Sequence, residues 1–138
     1  TDTDLPEAVA EMIREYDMTE QCVVTSLNLN YLKRIKAVNP DILTGYIISA
    51  AYGNFYSEEE VDFISIRSSL VDSRMLDRVH EYGKTVHVWT VNSKAELERM
   101  KLLRVDNIIT DVPVLAKEVI YGDIDEGSVL DYMKLLLR

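Results

Sequence analysis

The stretch Thr85-Val86-His87-Val88-Trp89-Thr90-Val91 is the strongest strand signal in the chain, because it is dense in β-branched and aromatic residues. Directly after it, Ser93-x-x-Glu96 forms a capping box, which predicts the start of a helix. A strand followed at once by a capped helix is the unit from which helix-covered parallel sheets are built. This segment therefore predicts an α/β protein.

The same unit recurs on both sides of this stretch. We predict strands at 22–25, 42–48, 61–66, 85–91 and 105–110, and helices at 5–16, from Asn28 to Asn39, from Asp72 or Ser73 to Gly83, from Ser93, and from Pro113. Asp4 with Glu7 resembles a capping pair for the first helix. Residues 52–60 read as a polar and aromatic loop, and the amphipathic stretch 128–137 is predicted to pack on the outside.

Length and charge restrict the possible function classes. The 138 residues fit one domain, and 47% hydrophobic residues suffice for a core. A formal charge of −9 without a basic cluster argues against nucleic acid as a partner. The apolar runs are too short to cross a bilayer, so we expect this segment to be soluble. A single cysteine, Cys22, excludes an internal disulfide framework.

Two architectures fit alternating strands and helices, an open doubly wound sheet and a barrel. The turn after the first strand, Thr25-Ser26-Leu27-Asn28, lacks the glycines that are usual in nucleotide-binding open sheets. A whole eight-unit barrel needs roughly 250 residues. The sequence therefore predicts a partial (β/α) TIM-type barrel of about five parallel strands with outer helices.

Several motifs, at their spacing, resemble one family. They are His80-x-x-Gly83-Lys84, Val86-x-Val88-Trp89-Thr90-Val91-Asn92, Val105-Asp106-x-Ile108-Ile109-Thr110-Asp111-x-Pro113, Thr25-Ser26-Leu27, Leu32-x-x-Ile35-Lys36 and Asn39-Pro40. Together they resemble the C-terminal half of the glycerophosphodiester phosphodiesterases over roughly residues 5–121. Leu27 stands where that family usually has Phe, and Arg104 where it usually has Gly.

The resemblance implies a (β/α) barrel that hydrolyses glycerophosphodiesters to an alcohol and glycerol 3-phosphate. The family's His-Arg-Gly, Glu-x-Asp, His-Asp and Glu-x-Lys motifs, which supply its metal ligands and its acid and base, lie in the N-terminal half. His-Arg-Gly and His-Asp are absent here, and Glu-x-Lys does not occur at the end of any predicted strand. We therefore expect residues 1–138 to be a single C-terminal segment without catalytic residues or metal ligands, inactive alone. The calcium or magnesium of the reaction would be bound in the longer parent and not by this chain alone.

Five polar or aromatic residues at or just past predicted strand ends are the candidate substrate-binding residues. They are Trp89, Ser26, Asn92, Arg67 and Asp111. In a barrel, the carboxyl ends of the strands line the active site. Trp89, which the resemblance also favours, would pack on a glycerol or alcohol group, and Arg67 would meet a phosphate. The competing interpretation is core packing for Trp89 and helix capping or turn formation for the polar residues.

Other features have simpler interpretations. His80 is interpreted as a surface or packing histidine, and His87 as a core histidine one layer below Trp89, so we reject a catalytic pair. Glu58, Glu59 and Glu60 are interpreted as a solvated run. The aromatic residues Tyr52, Phe55 and Tyr56 fit a lid, a membrane-facing patch or ordinary packing, and their loop resembles the membrane-associated bacterial branch.

Two hypotheses of function remain. In the first, the chain is part of a glycerophosphodiester phosphodiesterase, whose partners are its substrate and the missing N-terminal half. In the second, it is a non-enzymatic half-barrel that serves as a binding or assembly module. Because five strands leave two unpaired edges, we expect the chain alone to form a homo-oligomer. The compartment is not predicted, and membrane anchoring of the parent stays open.

Overall fold

Five parallel strands in chain order form one sheet, with helices between them. The computed structural model describes residues 4–49 and 53–122. Its helices and strands are α1 (Leu5–Glu15), β1 (Val23–Ser26), α2 (Leu29–Val38), β2 (Leu43–Ile48), β3 (Phe63–Arg67), α3 (Ser73–Glu81), β4 (Thr85–Trp89), α4 (Lys94–Leu103), β5 (Asn107–Ile108) and α5 (Pro113–Tyr121). The predicted α/β class and the five parallel strands are confirmed. The amphipathic stretch 128–137, which is predicted to pack on the outside, lies outside the described residues.

The main core lies between the helices and one face of the sheet, which we call the helix-packed face. Ile64 and Ile66 of β3 and Val86 and Val88 of β4 are fully buried there. They share one cluster with buried residues of the covering helices, namely Leu32, Leu76, Val79, Leu97, Met100 and Ala116. Each fully buried Val, Leu, Ile or Met side chain contributes about 1.5–3 kcal/mol relative to an exposed one. This layer therefore determines how strands and helices meet.

The opposite face, which we call the open face, carries the alternate residues of the same strands. Val23 and Leu43 are paired across β1 and β2 on this face and are 54% and 50% exposed. Gly45, Phe63 and Thr85 form the next row toward β4. A Cβ on Gly45 would lie 2.1 Å from Phe63 Cε2, so a glycine is required for the Phe63 ring to lie over β2.

Helix ends agree well with the sequence signals. Asn28 Oδ1 accepts a hydrogen bond from Asn30 N at 3.0 Å, and Asp72 Oδ1 accepts one from Met75 N at 2.8 Å. Ser93 Oγ accepts one from Glu96 N at 3.3 Å. Each satisfies a backbone donor that the first helical turn leaves unpaired. Gly83 follows α3 at φ +71°, the left-handed conformation expected at that helix end.

The predicted capping pair of Asp4 and Glu7 is wrong. Asp4 has φ −116° and ψ 7°, outside the extended conformation that a capping side chain needs, and it makes no capping hydrogen bond. Glu7 instead accepts two hydrogen bonds of 2.6 Å from Arg34 of α2. This bidentate pair lowers the pKa of Glu7, first through the Arg34 hydrogen bonds. A contact between two helices has thus displaced the local one.

The aromatic loop between β2 and β3 packs on the core without a full helix. Phe55 and Tyr56 lie in a short 3-10 turn and contact the main cluster. The Tyr56 ring lies 5.2 Å from that of Tyr82 at the end of α3, and Arg78 lies over it at 5.6 Å. These two residues therefore pack on the core as the simplest interpretation predicts, whereas the lid and the membrane-facing patch stay untested. Tyr52 lies outside the described residues.

Two aspartates hold the strands at the amino-terminal edge of the sheet. Asp62 Oδ2 accepts the backbone N–H of Thr44 at 2.7 Å and pairs with Lys36 Nζ at 2.7 Å. Asp106 Oδ2 accepts the N–H of Val86 at 2.8 Å and lies 2.8 Å from His80 Nε2. Each aspartate thereby joins the start of a neighbouring strand to a helix.

The interpretation of His80 as a surface or packing residue is therefore incomplete, because its ring also contacts Asp106. We call the contacts of Asp106 with His80 and with the Val86 N–H the Asp106 clamp. The predicted ends of β4 and β5 also differ from the structure. β4 ends at Trp89 rather than at Val91, and β5 covers only Asn107–Ile108 of the predicted 105–110. In the described ranges, no helix is long and apolar enough to cross a membrane.

Arg104 ends α4 in the left-handed conformation, at φ +57° and ψ 46°. A side chain is strained there, whereas glycine is not. We expect Arg104→Gly to raise the free energy of unfolding by about 0.5–1 kcal/mol, after allowing for the more flexible unfolded chain. In thermal unfolding, this gain in the free energy of unfolding corresponds to a Tm increase of about 2–4 °C. Gly83→Ala, at φ +71°, should lower Tm. A lower Tm for both variants would contradict the strain argument.

Asp62 provides a test of acid sensitivity. Burial raises its pKa, but the Lys36 hydrogen bond and the Thr44 N–H outweigh it, so the pKa lies below its ordinary value of 3.8. The carboxylate therefore stabilises the fold above pH 3.8, and this contribution is lost as the pH falls through the lowered pKa. We expect Asp62→Asn to lower stability at pH 7 by ~1 kcal/mol and to flatten the acid limb in urea unfolding. Asp41→Asn, an exposed site, serves as the control and should leave the profile unchanged.

Candidate functional site

Arg67 and Trp89 meet at the carboxyl-terminal edge of the sheet. They are the last residues of β3 and β4 and are register partners on the open face. The Arg67 guanidinium carbon lies 5.5 Å from the centroid of the Trp89 ring system. Arg67 is exposed and Trp89 is half-buried. A cation over an indole face is an attractive electrostatic contact, and here it leaves the guanidinium accessible to an anion.

The indole nitrogen of Trp89 adds a donor at this position. Nε1 is buried and has no hydrogen-bond partner among the described residues. An indole N–H can only donate, and an unpaired buried donor costs about 1–3 kcal/mol. The sequence predicts Trp89 at a strand end, and the structure places it at the end of β4 on the open face. Its role in substrate binding stays a prediction.

Asn92 and Asp111 form a second pair, which joins the loops after β4 and β5. Asn92 Nδ2 donates to Asp111 Oδ2 at 2.8 Å. Asn92 Oδ1 accepts the N–H of Asp111 at 2.9 Å and the hydroxyl of Thr110 at 3.2 Å. The amide of Asn92 is thus largely used in holding the two loops together. Their substrate-binding role stays a prediction.

Ser26 lies apart from both pairs. It ends β1 and is the register partner of Tyr46, whose side chain packs on the main core of the helix-packed face. Its hydroxyl accepts the N–H of Asn28 at 2.9 Å, which closes a local turn. The expectation that Ser26 shares one rim with the other candidates therefore meets a geometric obstacle, because alternate residues of a strand face opposite sides.

The loop after β3, which begins at Ser68, is attached to α4. Ser68 Oγ donates to Glu96 Oε1 at 3.0 Å, and Ser93 Oγ donates to Glu96 Oε2 at 2.9 Å. Arg99 Nη1 donates to the carbonyl oxygen of Ser68 at 2.9 Å. The hydrogen bonds from Ser93 and then Ser68 lower the pKa of Glu96. The site therefore has a supporting network beneath it.

His87 lies one row below Trp89 on the open face, as predicted. Its ring stacks on Phe63 with 3.9 Å between centroids and 16° between planes. Burial lowers the pKa of His87, although Asp106 opposes the shift. Its Nε2 lies 3.4 Å from the hydroxyl of Thr85. The ring is half-buried, and stacking accounts for its position without an acid–base role.

No metal centre forms within the described ranges, 4–49 and 53–122. There, no group of three or more His, Cys, Asp or Glu side chains is arranged to hold an ion. Glu58 and Glu60 are both engaged with Lys33, at 3.1 and 3.8 Å. The described residues thus do not fit the divalent metal that the resemblance implies, and we derive no step through it.

Comparison with known proteins decides the family. The sequence model of the glycerophosphoryl diester phosphodiesterase family matches residues 4–115. The chain belongs to this family. The predicted resemblance is confirmed, except that the membrane-associated branch stays a prediction. A glycerophosphodiester phosphodiesterase of Caldanaerobacter subterraneus subsp. tengcongensis is 24% identical over 112 residues, which cover 79% of this chain and 46% of that protein.

Solved structures agree on the fold. A glycerophosphodiester phosphodiesterase from Parabacteroides distasonis aligns with TM-score 0.77 and 19% identity over 86% of this chain and 51% of its own. An Oleispira antarctica phosphodiesterase in complex with the product sn-glycerol-3-phosphate aligns with TM-score 0.72 and 21% identity over 83% and 48%. The chain thus spans about half the length of the relatives it matches. The predicted partial barrel is consistent with both alignments.

Sequence reasoning missed the network on α4. Glu96 was assigned only to the capping box, and neither Ser68 nor Arg99 was singled out as part of the site's support. One signal was available, since Glu96 and Arg99 are three residues apart and thus share one face of α4. Their partners 68–71 come from a loop far away in the sequence, and no local pattern indicates that contact.

Proposed function

We propose that this chain is the C-terminal half of a glycerophosphodiester phosphodiesterase and supplies non-catalytic contacts to its substrate site. The reaction would hydrolyse a glycerophosphodiester to an alcohol and sn-glycerol 3-phosphate. Membership of the family and coverage of about half of its relatives support this. The sn-glycerol-3-phosphate bound to the Oleispira phosphodiesterase supports the product class.

The observation that carries the proposal is the Arg67–Trp89 pair at the carboxyl-terminal edge. The exposed guanidinium offers planar donors to phosphoryl oxygens. The Trp89 ring, half-buried under it, offers an apolar surface to a glycerol backbone or an alcohol group. Asn92 and Asp111 would hold the loops after β4 and β5 together. In a second role, they would contact the substrate directly. Ser26 is the weakest of the five candidates, because its register places it on the helix-packed face.

The chemical step would belong to the N-terminal half of the parent. That half would provide the acid, the base and the ligands of a divalent metal, calcium or magnesium, whose chemistry is to neutralise phosphoryl charge. This chain would bind and orient the substrate. Membrane anchoring of the parent is a further proposal that rests on the loop resemblance alone, and the packed positions of Phe55 and Tyr56 do not add to it.

A second candidate function is a non-enzymatic half-barrel that binds or assembles with another chain. The exposed open face favours it, because Val23 and Leu43 present apolar side chains there. Both candidates predict association, but only the first predicts that the parent hydrolyses a diester through a site that includes Arg67 and Trp89.

The first prediction of the proposed enzyme function concerns Trp89 in the longer protein. We expect Trp89→Ala to lower kcat/KM for a glycerophosphodiester by about ten-fold or more, equivalent to ~1.4 kcal/mol of lost transition-state stabilisation. Steady-state kinetics measure the change in kcat/KM. Circular dichroism and Tm show whether each sample is folded. His80→Gln, at the opposite edge of the sheet, is the control for destabilisation. A Trp89 variant with a low Tm and normal kinetics in its folded fraction would show packing and no ligand contact.

The second prediction is that the 138-residue chain alone does not turn over substrate. Diester cleavage needs an acid, a base and a held metal, and the open face offers His87 alone as a histidine among the described residues. The assay uses glycerophosphocholine with excess calcium or magnesium. His87→Ala serves as a matched preparation that exposes contaminating enzyme. Turnover by the first sample that is absent from the second would place chemistry in this chain.

The third prediction is self-association of the isolated chain. Strands β1 and β5 are edges of the described sheet, and the open face exposes apolar side chains. Unpaired edges and apolar faces favour contact with a second copy. Light scattering at high micromolar concentration should give a mass above that of the 15.8 kDa monomer. Leu43→Lys, which charges the open face, should shift the distribution toward monomer. A clean monomer for the wild-type chain would sink this prediction.

A further inference from the structure

One carboxylate joins the two loops that flank the Arg67–Trp89 pair. Ser68 directly follows Arg67, and its hydroxyl donates to Glu96 Oε1 at 3.0 Å. Ser93 lies in the loop after β4, and its hydroxyl donates to Glu96 Oε2 at 2.9 Å. Each carboxylate oxygen of Glu96 thus accepts a hydrogen bond from one of the two loops. The loops after β3 and β4 are therefore held at a common point on α4.

Arg99 holds the loop after β3 at two further points. Its guanidinium donates from Nη1 to the carbonyl oxygen of Ser68 at 2.9 Å and from Nη2 to that of Val71. Ser68 is only 6% exposed, so its hydroxyl and carbonyl depend on partners within the protein. The backbone that leads directly from Arg67 is thereby fixed on both sides of the 3-10 turn Ser68–Leu70.

We propose that Glu96 and Arg99 are positioning residues that keep the Arg67 guanidinium over Trp89 and in place for a phosphoryl group. An exposed arginine has many rotamers, and their loss on binding opposes affinity. A fixed backbone at Ser68 restricts where the guanidinium can reach. The part that concerns the phosphoryl group rests on the proposed function, whereas the part that concerns Arg67 and Trp89 does not.

Helix capping alone does not account for these contacts. A capping box needs only Ser93 and Glu96, and it would form without Ser68. The hydroxyl of Ser68 and both donors of Arg99 are additional, and all three bonds end on the loop after β3. The two roles can therefore be separated by mutation, since Ser68→Ala removes the loop contact of Glu96 and leaves the capping box intact.

The test uses Trp89 as a probe, since it is the single tryptophan of the chain. Acrylamide quenching of its fluorescence reports how well the ring is covered in the folded, unliganded chain. Arg67→Ala removes the guanidinium that lies over the Trp89 ring, and its quenching constant is the reference value for a ring without that contact. We expect Ser68→Ala, Glu96→Ala and Arg99→Met to move the quenching constant at least halfway toward that value. Glu96→Gln, which keeps one acceptor oxygen, should restore much of the protection.

A matched control separates positioning from stability. Asp106→Ala removes the clamp at the opposite end of β4 and should lower Tm without changing the quenching constant. Circular dichroism and light scattering confirm that the compared samples are folded and have the same oligomeric state. If Ser68→Ala and Glu96→Ala are folded and both keep the wild-type quenching constant, the positioning role is overturned. The same holds if Asp106→Ala uncovers Trp89 as much as they do.

A second arm titrates sn-glycerol 3-phosphate and, separately, inorganic phosphate into the same chain and follows Trp89 fluorescence. We expect Arg67→Ala to raise Kd by about ten-fold, equivalent to ~1.4 kcal/mol, and Ser68→Ala to raise it several-fold. An Arg67→Ala effect without a Ser68→Ala effect would overturn the positioning role and leave the proposed function standing. No binding by the wild-type chain would count against the proposed ligand contact, and the quenching arm would still decide the positioning role.

Discussion

Burial of Ile64, Ile66, Val86 and Val88 between the central strands and the helices is the interaction on which the rest of the structure depends. Because side chains alternate along a strand, burial of these positions on one face sends Ser65, Arg67, His87 and Trp89 to the other. Hydrophobic burial on the helix-packed face thus determines which residues lie on the open face, because the two sets alternate along each strand. The Arg67–Trp89 pair exists because two neighbouring strands end at the same height with the same alternation.

The two edges of the sheet serve different purposes. At the amino-terminal edge, Asp62 and Asp106 each join a strand start to a helix, by a backbone N–H on one side and a Lys36 or His80 side chain on the other. At the carboxyl-terminal edge, side chains hold loops rather than strands. This division is typical of barrels, in which the amino-terminal side carries stability and the carboxyl-terminal side carries function.

The structure also explains how the chain tolerates its two departures from the family pattern. Arg104 takes the left-handed conformation that a glycine would adopt more easily, and α4 still ends there with its backbone N–H groups paired. The cost is local backbone strain of about 1–2 kcal/mol, too small to change the fold. Leu27 is 66% exposed after β1, so a smaller apolar residue in place of Phe disturbs no packed layer among the described residues.

The α/β class, the five parallel strands, three of the helix caps and the family could be predicted from the sequence, because they depend on local periodicity, on capping chemistry and on motifs within short stretches. The positions of Trp89 and Arg67 at strand ends were equally predictable. Which candidates meet depends on tertiary contacts. Register separated Ser26 from the others, Arg34 drew Glu7 away from its predicted cap, and α4 brought Glu96 and Arg99 to a loop some 30 residues away. These contacts depend on how helices settle on the sheet, and that packing is set by the whole core rather than by any one segment.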